Sequence, residues 1–191
     1  MPLVWPAVQY LDAYSAALRR GWSPNTLDPR AGLAELAAIA EDPEEFLAQL
    51  VDRDALGPPV QLPNGNLAPR LPGFRRWIWH QGQCAGSIGL RWQPGSDALP
   101  PHVLGHVGYS VVPWLRGRGL ATAALSALLL DARAEGLRSL QLVTDPDNQA
   151  SQRVIQANGG QLVERFNRPP VFGGTPALRW QIRLPRLALQ A

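Results

Sequence analysis

At 191 residues, with 46% hydrophobic and 17% charged side chains, the chain has the composition of one folded domain rather than a disordered segment. Its formal charge of +3 comes from 18 arginines against 15 acids, with no lysine; the arginines are scattered (Arg19, Arg53, Arg91, Arg133, Arg179) and no aromatics interleave with them, which argues against nucleic-acid binding. No apolar run approaches the roughly 18 residues of a membrane helix. The opening MPLVWPAVQYLDAY has no basic stretch before an apolar one, so no secretory signal and no membrane association are expected. The single Cys84 excludes an internal disulfide and fits a reducing, cytoplasmic setting.

Residues 5–56 read as helical. Val8, Leu11, Tyr14 and Leu18 recur at three- and four-residue spacing before Gly21 stops the pattern. DPRAGLAELAAIA and DPEEFLAQLVDRD each open on Asp-Pro, an N-cap followed by proline at the first helical position. Residues 57–72, GPPVQLPNGNLAPRLP, are proline- and glycine-rich and read as loop. FRRWIWHQGQCAGSIGLRW then reads as a hairpin around Gln81-Gly82. A second loop leads into the strand HVGYSVV.

Residues 120–135 form the clearest helix, with Leu120, Ala123, Ala124, Ala127, Leu128 and Leu130 as its apolar face and Gly136 as its stop. LRSLQLVT (137–144) is a buried-type strand and DPDN a turn. A short helix over 148–158, capped by Asn148, ends at Gly159-Gly160. QLVERF and ALRWQIRL are closing strands. The order implies an α/β domain with a mixed sheet behind a helical N-terminal segment.

VVPWLRGRGLATAAL, residues 111–125, runs from a β-branched strand through a glycine turn into that helix. Pro113 stops the strand's ladder. Bare backbone N–H groups and a helix N-terminus converge at such a turn, which suits a phosphate; a ligand-free turn is the plain alternative. A nucleotide P-loop is excluded because there is no lysine to reach the phosphates. A dinucleotide fingerprint fits poorly, since Thr122 stands where its third glycine belongs.

The segment GHVGYSVVPWLRGRGLATAAL resembles the strand–turn–helix core of the GNAT-type N-acetyltransferases. The family signature [QR]-x-x-G-x-[GA] falls on Arg116, Gly119 and Ala121. TDPDNQASQRVIQANGG resembles the family's next motif through Asn148, Ser151, Gly159 and Gly160. The likeness covers residues 105–165, and its spelling is most similar to an uncharacterised bacterial branch. It implies a mixed, mostly antiparallel central sheet flanked by helices, in one domain over 1–191. Residues 1–70 would be the variable N-terminal part, and 73–185 the sheet core.

The resemblance further implies acetyl-CoA as co-substrate and no metal. The cofactor residues would be Val111, Val112, Arg116, Gly117, Arg118, Gly119, Leu120, Ala121 and Thr122, with Asn148 and Ser151. The implied reaction is acetyl transfer to a primary amine of a small molecule, amino acid or peptide, by direct attack in a ternary complex. A backbone N–H at Val111 or Val112 would polarise the thioester carbonyl. His106 is the first candidate base, with Tyr109, His102 and Asp145 behind it. Where many family members carry a tyrosine acid, this chain has Ile155, so either the thiolate leaves unassisted or as thiol via water, or another hydroxyl such as Tyr109 or Ser151 serves. Ile155→Tyr is expected to leave cofactor affinity intact. Trp77, Trp79, Trp92 and Trp114 read as core rather than as an acceptor pocket with loop 94–104. A non-catalytic acyl-CoA sensor or regulatory module is the alternative reading. Self-association into a homodimer stays open.

Overall fold

Helix α1 (Val8–Arg19) buries Leu11, Tyr14, Ser15, Ala17 and Leu18, the stripe that its three- and four-residue spacing dictates. Val8 lies off that stripe and is exposed. The computed structural model describes residues 3–184. Tyr14 stacks on Trp77 with ring centroids 4.2 Å apart, which seats α1 on the sheet. The two Asp-Pro pairs behave differently. Asp42 caps α3 (Pro43–Gln49) as expected, accepting from the backbone N–H of Glu44 and Glu45. Asp28 instead closes a turn by accepting from Arg30 N, and α2 (Ala31–Glu41) starts only after Arg30.

The expected helical stretch is interrupted, because β2 (Val51–Asp52) pairs with β5 (Gly73–His80), as does β1 (Leu3–Val4). The expected loop 57–72 contains a small ladder, β3 (Val60–Gln61) with β4 (Leu67–Ala68). An Asn64-Gly65 turn favours that reversal, and Gly65 takes the positive φ that it requires.

The hairpin of β5 and β6 (Gln83–Arg91) turns at Gln81 and Gly82, both with positive φ. β7 (Val107–Val111) adds to β6, giving the order β1-β5-β6-β7, with β2 also on β5. A second sheet has the order β8-β10-β9, from β8 (Ser139–Thr144), β9 (Gln161–Asn167) and β10 (Pro176–Arg183). All these pairings are antiparallel. Helix α4 (Leu120–Ala134) connects β7 to β8, and α5 (Gln149–Ala157) connects β8 to β9. The buried row of α4 is Leu120, Ala124, Leu125, Leu128 and Ala132. Ala123 and Leu130, expected on that face, are exposed, because the contact follows the i, i+4 row 120, 124, 128 and 132 with Leu125 beside it.

One core runs through both sheets, from Trp77 and Ile88 to Leu125, Leu140 and Trp180. The sheets themselves are joined at a single seam among the described residues. His106 N donates to Gln141 O at 2.8 Å, and Gln141 N donates to His106 Nδ1 at 2.9 Å. Past that seam β7 and β8 share no ladder, and a cleft opens between them.

Candidate active site

The seam places two surfaces on either side of β7. Along a strand the backbone groups alternate in direction. Val112 N donates to Ala85 O at 3.0 Å, so its N–H is spent on β6. The N–H of Val111 therefore points to the open edge, and of the two expected carbonyl donors only Val111 is free to serve. Pro113 opens a 3-10 turn, Pro113–Leu115, that lifts the chain off the sheet edge.

The glycine turn follows. Gly117 and Gly119 have φ of 74° and 72°, a left-handed conformation that glycine adopts without cost. No atom lies within 4 Å of where a side chain on either would begin, so space stands open over both. Gly119 is the N-cap of α4 and has no side chain to satisfy that helix's first N–H groups. Arg116, Gly117, Arg118 and Gly119 are all exposed, and Leu120 is buried as the helix docks. Arg116 is folded back, its Nε donating to Val111 O at 3.1 Å. Ala121 and Thr122 are half-buried in the first turn. These unpaired donors, with the positive end of a 15-residue helix dipole, form a seat suited to a pyrophosphate.

Helix α5 flanks the same edge. Asn148 Oδ1 accepts from Ser151 N at 3.0 Å, so Asn148 serves as the N-cap. Ser151 Oγ accepts from the Tyr109 hydroxyl at 3.1 Å. Burial pushes the Tyr109 phenol above its ordinary value, which the Ser151 bond offsets in part. Tyr109 is thus protonated at neutral pH. Ile155 is buried, at 1% exposure, and a Cβ on Gly160 would collide with its Cγ2. Ile155 is thus part of the core, and a tyrosine there would have to displace this packing.

His106 is fully enclosed at 0% exposure. Its Nδ1 accepts from Gln141 N, so the proton resides on Nε2, which is buried with no partner among the described residues. Burial, with Arg91 adding to it and Asp97 opposing, lowers its pKa to about 4. This geometry suits a neutral pin between the sheets. Asp145 is held by Arg168 at 2.6 Å.

On the other face of β7 lies a cavity of about 1000 Å³. Loop 24–30 roofs it, and the preceding residues anchor that loop to β7. Trp22 Nε1 donates to Ser110 Oγ at 2.9 Å, and Ser110 Oγ donates to Ser23 O at 3.0 Å. His102, half-buried, reaches the cavity with Nε2 3.3 Å from Pro69 O. Val103 and Leu104 also line it, so loop 94–104 does contribute. Trp77, Trp79, Trp92 and Trp114 do not; they pack in or against the core, as their alternating positions suggest. The arginines that line the cavity, and Gly89, carry no motif, and Gly108 falls in the segment that resembles the family without being one of its signature positions. Sequence reading did not find them, and only the strand register brings them together. Among the described residues, no cluster of His, Cys, Asp and Glu forms a metal site. Among the described residues, no helix is long and apolar enough to cross a membrane.

Comparison with known proteins gives the arrangement its context. A family model described as an acetyltransferase (GNAT) domain matches residues 31–161, reaching well upstream of the motif region. No curated protein sequence matches. Among solved structures, the ribosomal L7/L12 α-N-protein acetyltransferase RimL in complex with coenzyme A aligns with a TM-score of 0.61 at 16% identity, over 95% of this chain and 93% of that one. A GNAT-family acetyltransferase from Streptococcus pneumoniae aligns at 0.59 and 16%, over 92% and 91%. The microcin C7 self-immunity acetyltransferase MccE, in complex with acetyl-CoA and AMP, aligns at 0.56 and 12%, over 95% and 91%. At these identities the likeness is one of fold. The family match spans more than half of the chain and includes the seam, the glycine turn and α5, and so the chain belongs to the GNAT family of acetyl-CoA-dependent N-acetyltransferases.

Proposed function

We propose that residues 111–122 seat acetyl-CoA and that its acetyl group passes, by direct attack, to a primary amine entering from the cavity on the opposite face of β7. The observation that carries this reading is the parting of β7 from β8 beyond His106, which leaves the Val111 edge unpaired next to an open, left-handed glycine turn. The N–H groups of Leu120, Ala121 and Thr122 and the side chain of Arg118 would face the pyrophosphate. Arg116 holds the turn against Val111 O, and Asn148 holds the start of α5.

The Val111 N–H is the donor for the carbonyl oxygen where charge develops. The Tyr109 hydroxyl, ordered by Ser151, supplies the proton to the departing sulfur, in place of the acid that Ile155 cannot provide. His102 is the imidazole that meets the cavity and takes the proton from the amine. His106 acts as a positioning residue that sets where the sheets separate.

Thermal denaturation with acetyl-CoA, followed by an assay for released CoA thiol over a panel of amines, tests this reading. Ligand at 100 times its Kd is expected to add about 2.7 kcal/mol of stability. The absence of both a stability increase and thiol release would overturn it.

A further inference from the structure

Five arginines line the cavity: Arg30, Arg70, Arg75, Arg91 and Arg168. Four of them face a carboxylate. Arg30 lies 3.9 Å from Asp28, Arg70 3.7 Å from Asp52, and Arg168 2.6 Å from Asp145, while Arg75 is bonded to Glu35. Arg91 has no carboxylate within 4 Å and no side-chain hydrogen bond among the described residues.

Its position is set by the seam. Arg91 ends β6, and its backbone N donates to His106 O at 2.9 Å. Two residues back, Gly89 stands opposite Gly108 on β7 and opposite Arg75 on β5. Directly paired residues share a face of the sheet, as do residues two apart on one strand. Arg75, Gly89, Gly108 and Arg91 therefore share the face that the cavity covers. The two glycines leave a floor without side chains, and the Arg91 guanidinium leans across it. Its Nη2 would be 3.4 Å from a Cβ on Gly108. Arg91 is exposed, and the cavity is the space that it borders. Desolvation and the neighbouring Arg75 both disfavour its charge. A cation that borders a cavity with its donors unused by the chain, over a floor without side chains, suits an anion brought in by a ligand.

Resting on the acetyl-transfer reading above, we infer that the acceptor amine carries an oxyanion, a carboxylate or a phosphate, and that Arg91 binds it over the Gly89–Gly108 floor. The guanidinium fork suits two oxygens of either group. An oxyanion held there keeps the acceptor beside Gly108, on the strand whose far edge bears Val111. Binding at Arg91 thus orients the amine toward the parting of the sheets. Neutral amines of the same shape lack this anchor.

The test uses matched amines on the full chain with acetyl-CoA. Glycine, glutamate and phenylalanine are each compared with the α-carboxamide, and phosphoethanolamine with ethanolamine. The anionic member of at least one pair is expected to have the higher kcat/KM, by roughly 10- to 100-fold. The pair that shows the preference identifies carboxylate or phosphate. Arg91→Gln should erase the preference through KM while acetyl-CoA affinity, measured by calorimetry, stays unchanged and shows that the variant is folded. Arg91→Lys should keep part of it, since a point charge remains without the fork. Equal or better use of the neutral members, or a preference that survives Arg91→Gln, overturns the inference. A parallel calorimetric titration of the anionic amines into wild type and Arg91→Gln separates the two readings. If acetyl-CoA does not bind, the proposed function fails, and Arg91-dependent retention of the anion still decides this one.

Discussion

The two faces of β7 are built by opposite means. The side proposed for the cofactor centres on one continuous stretch, residues 111–122, and offers backbone N–H groups, two left-handed glycines and a helix end. The side proposed for the acceptor draws on separated segments, from loop 24–30 to Arg168, and presents side chains, five arginines among them. A backbone site depends on conformation, so it tolerates changed side chains but not a changed φ. A side-chain site depends on which residues a distant part of the chain brings opposite, so one substitution rewrites it. The seam at His106 holds the two at a fixed distance, and each part can be broken separately.

The largest effect is expected at the turn. Gly119→Val places a branched side chain at φ 72° and in the space over the turn, and should weaken acetyl-CoA binding about 1000-fold, or about 4 kcal/mol. Calorimetry on the purified pair measures it. Anion binding in the cavity should be untouched, and its loss would show that the two faces are not independent.

The seam comes next, through pH. The folded pKa of His106, about 4, lies below the ordinary 6.5. Between those values the unfolded chain takes up a proton that the native one refuses. The stabilising contribution is full above pH 6.5 and is lost as pH falls toward 4, to a total of about 3 kcal/mol. Urea titrations from pH 7 to pH 4 should show that slope, and His106→Gln should flatten it while leaving an acceptor for Gln141 N. A similar slope in the variant would place the acid sensitivity elsewhere.

Ile155→Tyr addresses the acid missing from the cofactor side. Enlarging a side chain clamped beneath Gly160 should cost about 1–3 kcal/mol of stability and lower the melting temperature without raising kcat. A faster enzyme of normal stability would mean that α5 admits an acid there after all.

Tyr109→Phe is expected to have the smallest effect. It removes the hydroxyl bonded to Ser151 and should lower kcat about tenfold with acetyl-CoA affinity preserved, since a thiolate leaves tolerably well at neutral pH. An unchanged kcat in steady-state assays would remove Tyr109 from the proton path.

Much of this was readable before any coordinates. The Gln81-Gly82 hairpin, the strand–turn–helix of 111–134, the Asp42 cap and the Asn148 cap all emerge where expected, because each rests on turn chemistry or periodicity within a few residues. The readings that needed partners fared differently. Asp28-Pro29 looks like Asp42-Pro43 in sequence, yet it closes a turn, while Val51 and Asp52 left the expected helical stretch to pair with β5. His106, expected on the motif strand as a candidate base, lies just before β7, and the seam with Gln141 encloses it.

By itself, then, the sequence determined the order of the elements, the family and the glycine turn, since these are local consequences of backbone chemistry and residue spacing. Only the tertiary structure decided that Val111 rather than Val112 offers a free N–H, that Ile155 is sealed under Gly160, and that Arg91 alone among the cavity arginines has no carboxylate among the described residues. The reason is physical. Whether a polar group is spent or available depends on what faces it across a strand or a cavity, and that neighbour comes from tens of residues away, through a register that no local pattern encodes.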